Sequence, residues 1–272
     1  MDGASTADNV DAGQGVLVTR RRALLALLLW SIMLGGARAD ERLHVAEIDQ
    51  GDAFILEDGR RVRLVGIDAP RAPLGVPKDV PWRLAESAKT ALAELAQNRI
   101  VTLRLGEVAS DRYGRVLAQV YREDGMRLQG ELLRRGLARV HSYPDNRALV
   151  PEMLALEGEA RSARRGLWRD PNYAVRRPEE AGRFIESFQL VEGSIVDVAK
   201  VKGQVFLNFA PDWRTSFTAH LPRDALPRFK ESGIDPNSLK GARVRLRGWV
   251  RFYERPMIDV THPEQIELLD RP

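Results

Sequence analysis

The sequence predicts an α+β fold that is mainly β, built from two small barrels of short strands with helices between some of the strands. Short stretches from residue 42 onward alternate apolar and polar residues, which is typical of strands with one buried face. Turn residues such as Asp58-Gly59 separate these stretches. Two longer segments, 84–97 and 151–168, have apolar residues at helical spacing instead. The hydrophobic content of 44% is enough to bury a core.

The first 39 residues have the pattern of a secretory signal peptide preceded by a polar extension. Arg20-Arg21-Arg22 comes before an apolar run at 23–36, and Ala37-Arg38-Ala39 follows it. The apolar run is short for a membrane span, which needs about 20 residues. We therefore expect cleavage after Ala39 and export to the periplasm or the medium, with no membrane attachment afterwards. The alternative is an N-terminal anchor that is not cleaved.

The composition limits the kinds of site that the chain can carry. There are 42 Lys and Arg residues against 38 Asp and Glu, so a site for nucleic acid must come from local clustering of charge. The chain has no cysteine, which excludes disulfides, cysteine nucleophiles and thiolate zinc sites.

The first barrel is predicted from strands and helices that follow one another closely. A helix over 84–97 places Leu84, Ala88, Leu92 and Leu95 on one face. A short helix is expected at 128–137, ending near Gly136, and a longer one at 151–168, opened by Pro151 and stopped by Gly166. Strands are expected at 43–48, 52–59, 60–67, 100–105 and 116–121.

A hairpin about Asp58-Gly59 brings charged residues together at one end of the first barrel. A two-residue turn places Arg63 opposite Phe54, so that Asp52 and Arg63 share one face of the hairpin. Asp68 lies just beyond, at the same open end. Two carboxylates suit Ca²⁺ or Mg²⁺, and an arginine suits phosphate. The alternative is that these residues are turn carboxylates and surface ion pairs.

A second charged cluster, DRYGR at 111–115, lies in the turn before another strand. Arg115 could complete a pair of arginines with Arg63 that holds a phosphate and stabilises the charge that develops during phosphoryl transfer.

Together these segments resemble the staphylococcal nuclease (thermonuclease) family over about 42–168. The resemblance rests on ordered blocks, namely 49–53 (DQGDA), 62–70 (VRLVGIDAP), 111–115 (DRYGR), 132–140 (LLRRGLARV) and 159–168 (EARSARRGLW). It implies a nuclease-like domain at 40–168, folded as an OB-like five-stranded barrel with helices. It also implies Ca²⁺-assisted hydrolysis of phosphodiester bonds in DNA or RNA, with single strands favoured.

The resemblance assigns roles to particular positions. Asp52 and Asp68 match the calcium ligands, and Ala69 matches the residue whose backbone carbonyl helps to bind the metal. Arg63 and Arg115 match the catalytic arginines that bind phosphate.

Two tyrosines match positions near the nucleotide in the same family. Tyr113 lies in the active-site turn, and Tyr143 lies near the place where family tyrosines pack beside the nucleotide.

The chain also departs from the family pattern. Gln50 replaces an acidic residue near the metal, and Arg71 stands at the position of the glutamate that activates water. Arginine stays protonated and cannot accept a proton. It should also weaken the binding of Ca²⁺. Asp79 is a possible substitute base.

After a predicted linker at 169–186, residues 187–272 are expected to form a second small OB-like β-barrel. Aromatic residues beside basic ones bind single strands in such barrels, and Trp213 and Arg214, in a predicted turn, are the candidates here. We expect Phe206, Phe217 and Trp249 to fill the core.

Arg243, Arg245 and Arg247 alternate along one strand of this region and therefore share a face. The stripe is either a solvated face or a track for phosphates, and the sequence leaves both open.

The sequence thus supports three functions. The first is an exported, metal-dependent nuclease. The second is a catalytically degenerate relative that binds nucleic acid or another envelope partner. The third is a structural envelope protein that uses its barrels for protein contacts.

Overall fold

The structure is a computed structural model, and it describes residues 41–71, 82–212, 214 and 216–269. The predicted signal peptide, Asp79 and Trp213 lie outside the described residues. Among the described residues, no helix has the length and apolar character needed to cross a lipid bilayer.

The N-terminal half is a closed five-stranded barrel, which confirms the predicted α+β, mainly β class. Its strands pair in the order β1-β2-β3-β6-β5, with β3 and β6 parallel, and β4 and β7 form a separate two-stranded sheet. The strands are β1 (Glu41–Gln50), β2 (Ala53–Leu56), β3 (Arg61–Leu64), β4 (Ile67–Asp68), β5 (Ile100–Ser110), β6 (Val116–Arg122) and β7 (Arg139–Val140).

The hairpin between β2 and β3 differs from the prediction by one residue of register. Ala53, and not Phe54, lies opposite Arg63. The loop has three residues, because the N–H of Leu56 donates to the carbonyl of Arg60 at 2.9 Å. Gly59 adopts φ +84° at its end, a left-handed conformation that glycine tolerates and that three-residue hairpin loops use. The predicted two-residue turn was therefore wrong.

Three helices pack on this barrel at the positions that the sequence indicates. They are α1 (Arg83–Ala96), α2 (Leu128–Arg134) and α3 (Val150–Ser162). Helix α1 buries Ala88, Leu92 and Leu95, as its spacing predicts. Helices α2 and α3 are shorter than predicted, and residues 166–169 form a 3-10 turn.

The C-terminal region is a seven-stranded sheet with a short helix. Its strands follow the path β8-β12-β13-β11-β10-β9, with β14 also on β12, and β11 and β13 are parallel. The elements are β8 (Ser187–Ser194), β9 (Asp197–Val201), β10 (Gln204–Asn208), β11 (Thr218–Leu221), α4 (Leu226–Glu231), β12 (Arg243–Tyr253), β13 (Arg255–Asp259) and β14 (Ile266–Leu268).

β8 and β9 lie at opposite ends of this path, but only residues 195 and 196 separate them in the chain. If β8 and β9 are taken together as the counterpart of β1, the region repeats the strand connectivity of the N-terminal barrel, including its parallel pair. Closure of the second barrel stays a prediction.

The predicted linker lies against β8. The N–H of Arg176 donates to the carbonyl of Leu190, and the N–H of Glu192 donates to the carbonyl of Arg176, both at 2.8 Å. Residues 178–184 form a 3-10 helix. The domain boundaries at 168, 186 and 187 stay predictions.

Each half has its own hydrophobic core. Phe54, Leu92 and Leu132 belong to the first, and Phe217 and Phe229 belong to the second. The prediction that Phe206 and Trp249 fill this second core was wrong, because Phe206 is half-buried and stacks on His220 outside this core, and Trp249 is 47% exposed.

The members of the arginine stripe on β12 pair with carboxylates and do not form an open track for phosphate, although Arg243 at its start is 53% exposed. Arg247 is 1% exposed and binds Glu157 of α3 at 2.7 Å. This pair joins the C-terminal sheet to the N-terminal half. The stripe's other partners are Glu192, which binds Arg243 and Arg245, and Glu267, which binds Arg245 and Arg247.

Candidate functional site

Short segments at one end of the first barrel bring the candidate residues together. Asp52 lies in the turn between β1 and β2, and its carbonyl accepts from the N–H of Leu64 at 2.9 Å. Asp68 ends β4 and lies opposite Arg139 of β7. The pairing of β4 with β7 thus carries a carboxylate and an arginine to the same place as the turn that holds Asp52.

The Asp52 carboxylate is 0% exposed and sits among hydrogen-bond donors. The N–H of Ala69 donates to its Oδ2 at 3.2 Å. Arg63 Nη2 lies 3.3 Å from the same oxygen and 3.5 Å from Asp68 Oδ1. Asp52 and Arg63 meet although the hairpin register differs from the prediction, because Asp52 precedes β2 and its side chain does not follow the pleat.

Arg71 lies at the centre of the site and bridges both carboxylates. Its Nη2 donates to Asp52 Oδ1 at 3.0 Å and to Oδ2 at 2.9 Å. Its Nη1 donates to Asp68 Oδ1 at 2.5 Å, and its Nε donates to Gln50 Oε1 at 3.0 Å. The guanidinium therefore takes up the oxygens that the resemblance assigns to a metal ion.

A third arginine completes what we call the arginine–carboxylate cluster, formed by Asp52, Asp68, Arg63, Arg71 and Arg139. Arg139 Nη2 donates to Asp68 Oδ2 at 3.2 Å. Three guanidinium groups face two carboxylates, so the cluster has one positive charge in excess. The sequence assigned no role to Arg139, although Arg139 belongs to the LLRRGLARV block, and it indicated Gln50 only as the replacement for an acidic residue near the metal.

The electrostatics of the cluster hold its charges in place. Burial by itself would raise the pKa of the Asp68 carboxyl, but the charges of Arg139 and Arg71 lower that pKa to about 2. Burial opposes the charge of Arg71, but Asp52 and Asp68 outweigh it and raise the pKa of the guanidinium. Arg71 therefore stays protonated and cannot serve as a general base.

Aromatic rings stand beside the cluster. His141 stacks on Tyr143 with ring centroids 4.8 Å apart and lies 4.6 Å from the ring of Phe188. Burial lowers the pKa of His141 to about 4, so its ring is neutral near pH 7. Its Nδ1 is buried and has no hydrogen-bond partner among the described residues. Tyr143 is 43% exposed.

The other candidates contact groups outside the arginine–carboxylate cluster. Arg115 pairs with Asp111 at 2.7 Å in the turn between β5 and β6, so its contact is with that turn and not with the carboxylates of the cluster. Tyr113 lies in the same turn and is exposed. Arg214 lies after β10, where its N–H donates to Asp212 at 3.1 Å. Trp213 is outside the described residues.

These residues, as arranged, do not fit Ca²⁺. Calcium takes six to eight oxygen ligands in proteins, most of them carboxylates and carbonyls. Here Arg71 occupies oxygens of Asp52, Asp68 and Gln50. Across the described ranges, three or more His, Asp or Glu side chains do not gather into a group that could hold a metal ion.

Comparison with known proteins identifies the family to which this barrel and its arginine–carboxylate cluster belong. The model for staphylococcal nuclease homologues matches residues 61–170. An uncharacterized endonuclease of Escherichia coli is 31% identical over 150 residues, covering 54% of this chain and 87% of the relative. Protein ParB of Escherichia coli is 35% identical over 164 residues, covering 56% and 85%. The thermonuclease of Staphylococcus intermedius is 31% identical over 135 residues, covering 47% and 76%. The chain belongs to the staphylococcal nuclease family.

Proposed function

We propose that the protein binds the phosphodiester backbone of single-stranded nucleic acid at the arginine–carboxylate cluster, without a divalent cation. The observation that carries this proposal is the position of Arg71, which bridges Asp52 and Asp68. A side chain of the protein supplies the positive charge that an ion would otherwise supply.

The charge and exposure of the cluster fit a phosphate. One positive charge in excess matches the single negative charge of a phosphodiester. Arg71 is 40% exposed, so its guanidinium borders solvent where a phosphate oxygen can approach. Arginine presents a planar fork of donors that suits phosphate oxygens.

The same position argues against efficient hydrolysis. A positioned general base typically contributes ~10²–10⁴-fold to the rate, and Arg71 occupies the position that should hold one. Its raised pKa removes any chance of deprotonation near neutral pH. Binding of nucleic acid is therefore better supported than turnover.

Calcium-assisted hydrolysis is the second candidate. Asp52, Asp68 and Arg63 are retained and lie together, and similar proteins carry the names endonuclease and thermonuclease. This function requires Arg71 to leave both carboxylates and another group to accept the proton from water.

Binding and cleavage of a labelled single-stranded oligonucleotide test the proposal. Fluorescence anisotropy in EDTA should give binding, and Arg63→Ala should weaken it about 10-fold to 150-fold, because a hydrogen bond to a charged group contributes about 1.5–3 kcal/mol. Arg42→Ala is the matched control, since Arg42 pairs with Glu123 on the surface. Cleavage that requires Ca²⁺ and disappears in Asp52→Ala would overturn the proposal in favour of the second candidate.

We also propose that the chain is exported, on the pattern of residues 1–39 alone. The intact mass of protein recovered from the periplasm of a bacterial host should match a chain that begins at Asp40. A cytoplasmic chain that retains residues 1–39 would contradict this proposal.

A further inference from the structure

We propose that Trp249 of the C-terminal sheet and Tyr143 of the N-terminal half bind one unstacked base of the nucleic acid strand whose phosphate lies at the arginine–carboxylate cluster. This inference rests on the proposed function. It assigns a direct part in binding to the C-terminal sheet, which the resemblance to the nuclease family leaves without a role.

A cavity of about 260 Å³ lies between the two halves and provides the space. His141 and Tyr143 line it from the chain after β7, Trp249 and Arg251 line it from β12, and His262 lines it from the chain after β13. We call it the Trp249 cavity. It has the size for one planar group rather than for a drug-sized ligand, whose pockets are about 300–1,000 Å³.

The aromatic rings of the cavity form a connected group. Trp249 lies directly opposite Phe188 in the pairing of β12 with β8, so the two side chains share a face of the sheet. Phe188 is buried and contacts His141, which stacks on Tyr143. Trp249 and Tyr143 are the exposed rings of this group, at 47% and 43%, and stand where a base can stack on them.

The cavity is joined to the cluster through Arg139. Its Nη1 donates to the carbonyl of Phe188 at 2.9 Å, and its guanidinium lies 4.4 Å above the ring of Phe188. Its Nη2 donates to Asp68. One side chain thus contacts both Phe188, which lines the cavity, and Asp68 of the proposed phosphate site, so the two sites are neighbours.

The chemistry of the cavity favours a base of a single strand. Bases stack on aromatic side chains, while nearby cations track the backbone. Arg251 supplies a cation on the same face of β12 as Trp249, two residues further along the strand. A paired base cannot enter, because its partner would have to enter with it.

Replacing Trp249 tests the proposal, with binding to two oligonucleotides as the measurement. One is a labelled single strand, and the other has the same length with every base removed, leaving the sugar–phosphate chain. Trp249→Ala should weaken binding of the intact strand about 5-fold to 150-fold, the effect of losing one stacked base. Binding of the abasic strand should not change, and Trp249→Phe should restore most of the affinity for the intact strand.

Phe252→Ala is the matched control. Phe252 is 61% exposed and lies on the opposite face of β12, away from the Trp249 cavity. It should bind both strands as the unchanged protein does.

The outcomes separate this inference from the proposed function. Normal affinity of Trp249→Ala for the intact strand overturns the base site and leaves the proposed function standing. Equal loss on the intact and abasic strands, or an equal loss in Phe252→Ala, also overturns the base site. If the unchanged protein binds neither strand, the proposed function fails and the base site fails with it.

Discussion

Replacing Arg71 with alanine removes the positive charge that bridges Asp52 and Asp68. Both carboxylates then face each other with Arg63 and Arg139 as their remaining cations. The variant should be less stable than the unchanged protein in EDTA, and it should gain a site that Ca²⁺ can enter.

The loss in the free energy of unfolding of Arg71→Ala depends on how deeply Arg71 and its carboxylate partners are buried. Removing one member of a fully buried ion pair costs about 3–5 kcal/mol. Asp52 is fully buried, but Arg71 is partly exposed, and Arg63 remains 3.3 Å from Asp52. Solvent screening and the remaining arginine reduce the loss to about 1–3 kcal/mol.

Binding of Ca²⁺ should then restore the stability that Arg71→Ala loses. A ligand at 100 times its dissociation constant stabilises the folded state by about 2.7 kcal/mol. In a protein of this size, that corresponds to a rise in Tm of roughly 5–10 °C. The unchanged protein should show no such rise, because Arg71 occupies the carboxylates.

Thermal unfolding followed by circular dichroism, in EDTA and in millimolar Ca²⁺, measures both effects. Arg61→Ala is the matched control, since Arg61 forms a surface ion pair with Asp49 at 2.8 Å. Such a pair contributes about 0–1 kcal/mol, and its loss should not create a response to calcium. An equal rise in Tm for the unchanged protein and for Arg71→Ala would refute the reasoning.

Three further predictions concern stability. Burial lowers the pKa of His262 to about 4, so the stability present above pH about 6.5 is lost as the pH falls towards 4. His262→Gln should reduce the loss between pH 7 and pH 5 by about 2 kcal/mol in urea titrations, and an unchanged loss would contradict this. Glu157→Ala should cost about 1–3 kcal/mol, because it removes the 2.7 Å partner of the buried Arg247 while Glu267 remains paired with it, and a cost under about 0.5 kcal/mol would speak against a buried pair. Gly136→Ala should cost more than Gly125→Ala, because both have positive φ but only at Gly136 would a Cβ meet a backbone oxygen, at 2.3 Å. Equal costs would show that the close approach has no effect.

The class of fold and the helices could be predicted because the spacing of apolar residues along the sequence indicates which face of each element is buried. The helix predicted at 84–97 is Arg83–Ala96, and its buried face is the one that the spacing indicates. Strand alternation likewise predicted the barrel strands of the N-terminal half.

The register of the hairpin could not be predicted from Asp58-Gly59 alone. The loop has one residue more than the prediction because Gly59 takes the left-handed position at its end. A shift of one residue exchanges the faces of a strand. Asp52 still meets Arg63 because it lies in a turn, outside the alternation of the strand.

The contacts of Arg71 and Trp249 depend on packing between distant parts of the chain. Sequence comparison placed Arg71 at the position of a catalytic base, but its bridge to Asp52 requires the turn after β1 and the end of β4 to meet. The alternation along β12 predicted that its arginines share a face, but it could not predict the burial of Arg247, which depends on the contact with Glu157 of α3. Two residues further along the same face, Trp249 is exposed to solvent.

Isothermal titration of the purified protein with Ca²⁺ tests the central claim most directly, namely that Arg71 takes the place of the cation. We predict no binding heat from the unchanged protein at millimolar Ca²⁺ and a one-to-one isotherm from Arg71→Glu. A one-to-one isotherm from the unchanged protein that disappears in Asp52→Ala would contradict it.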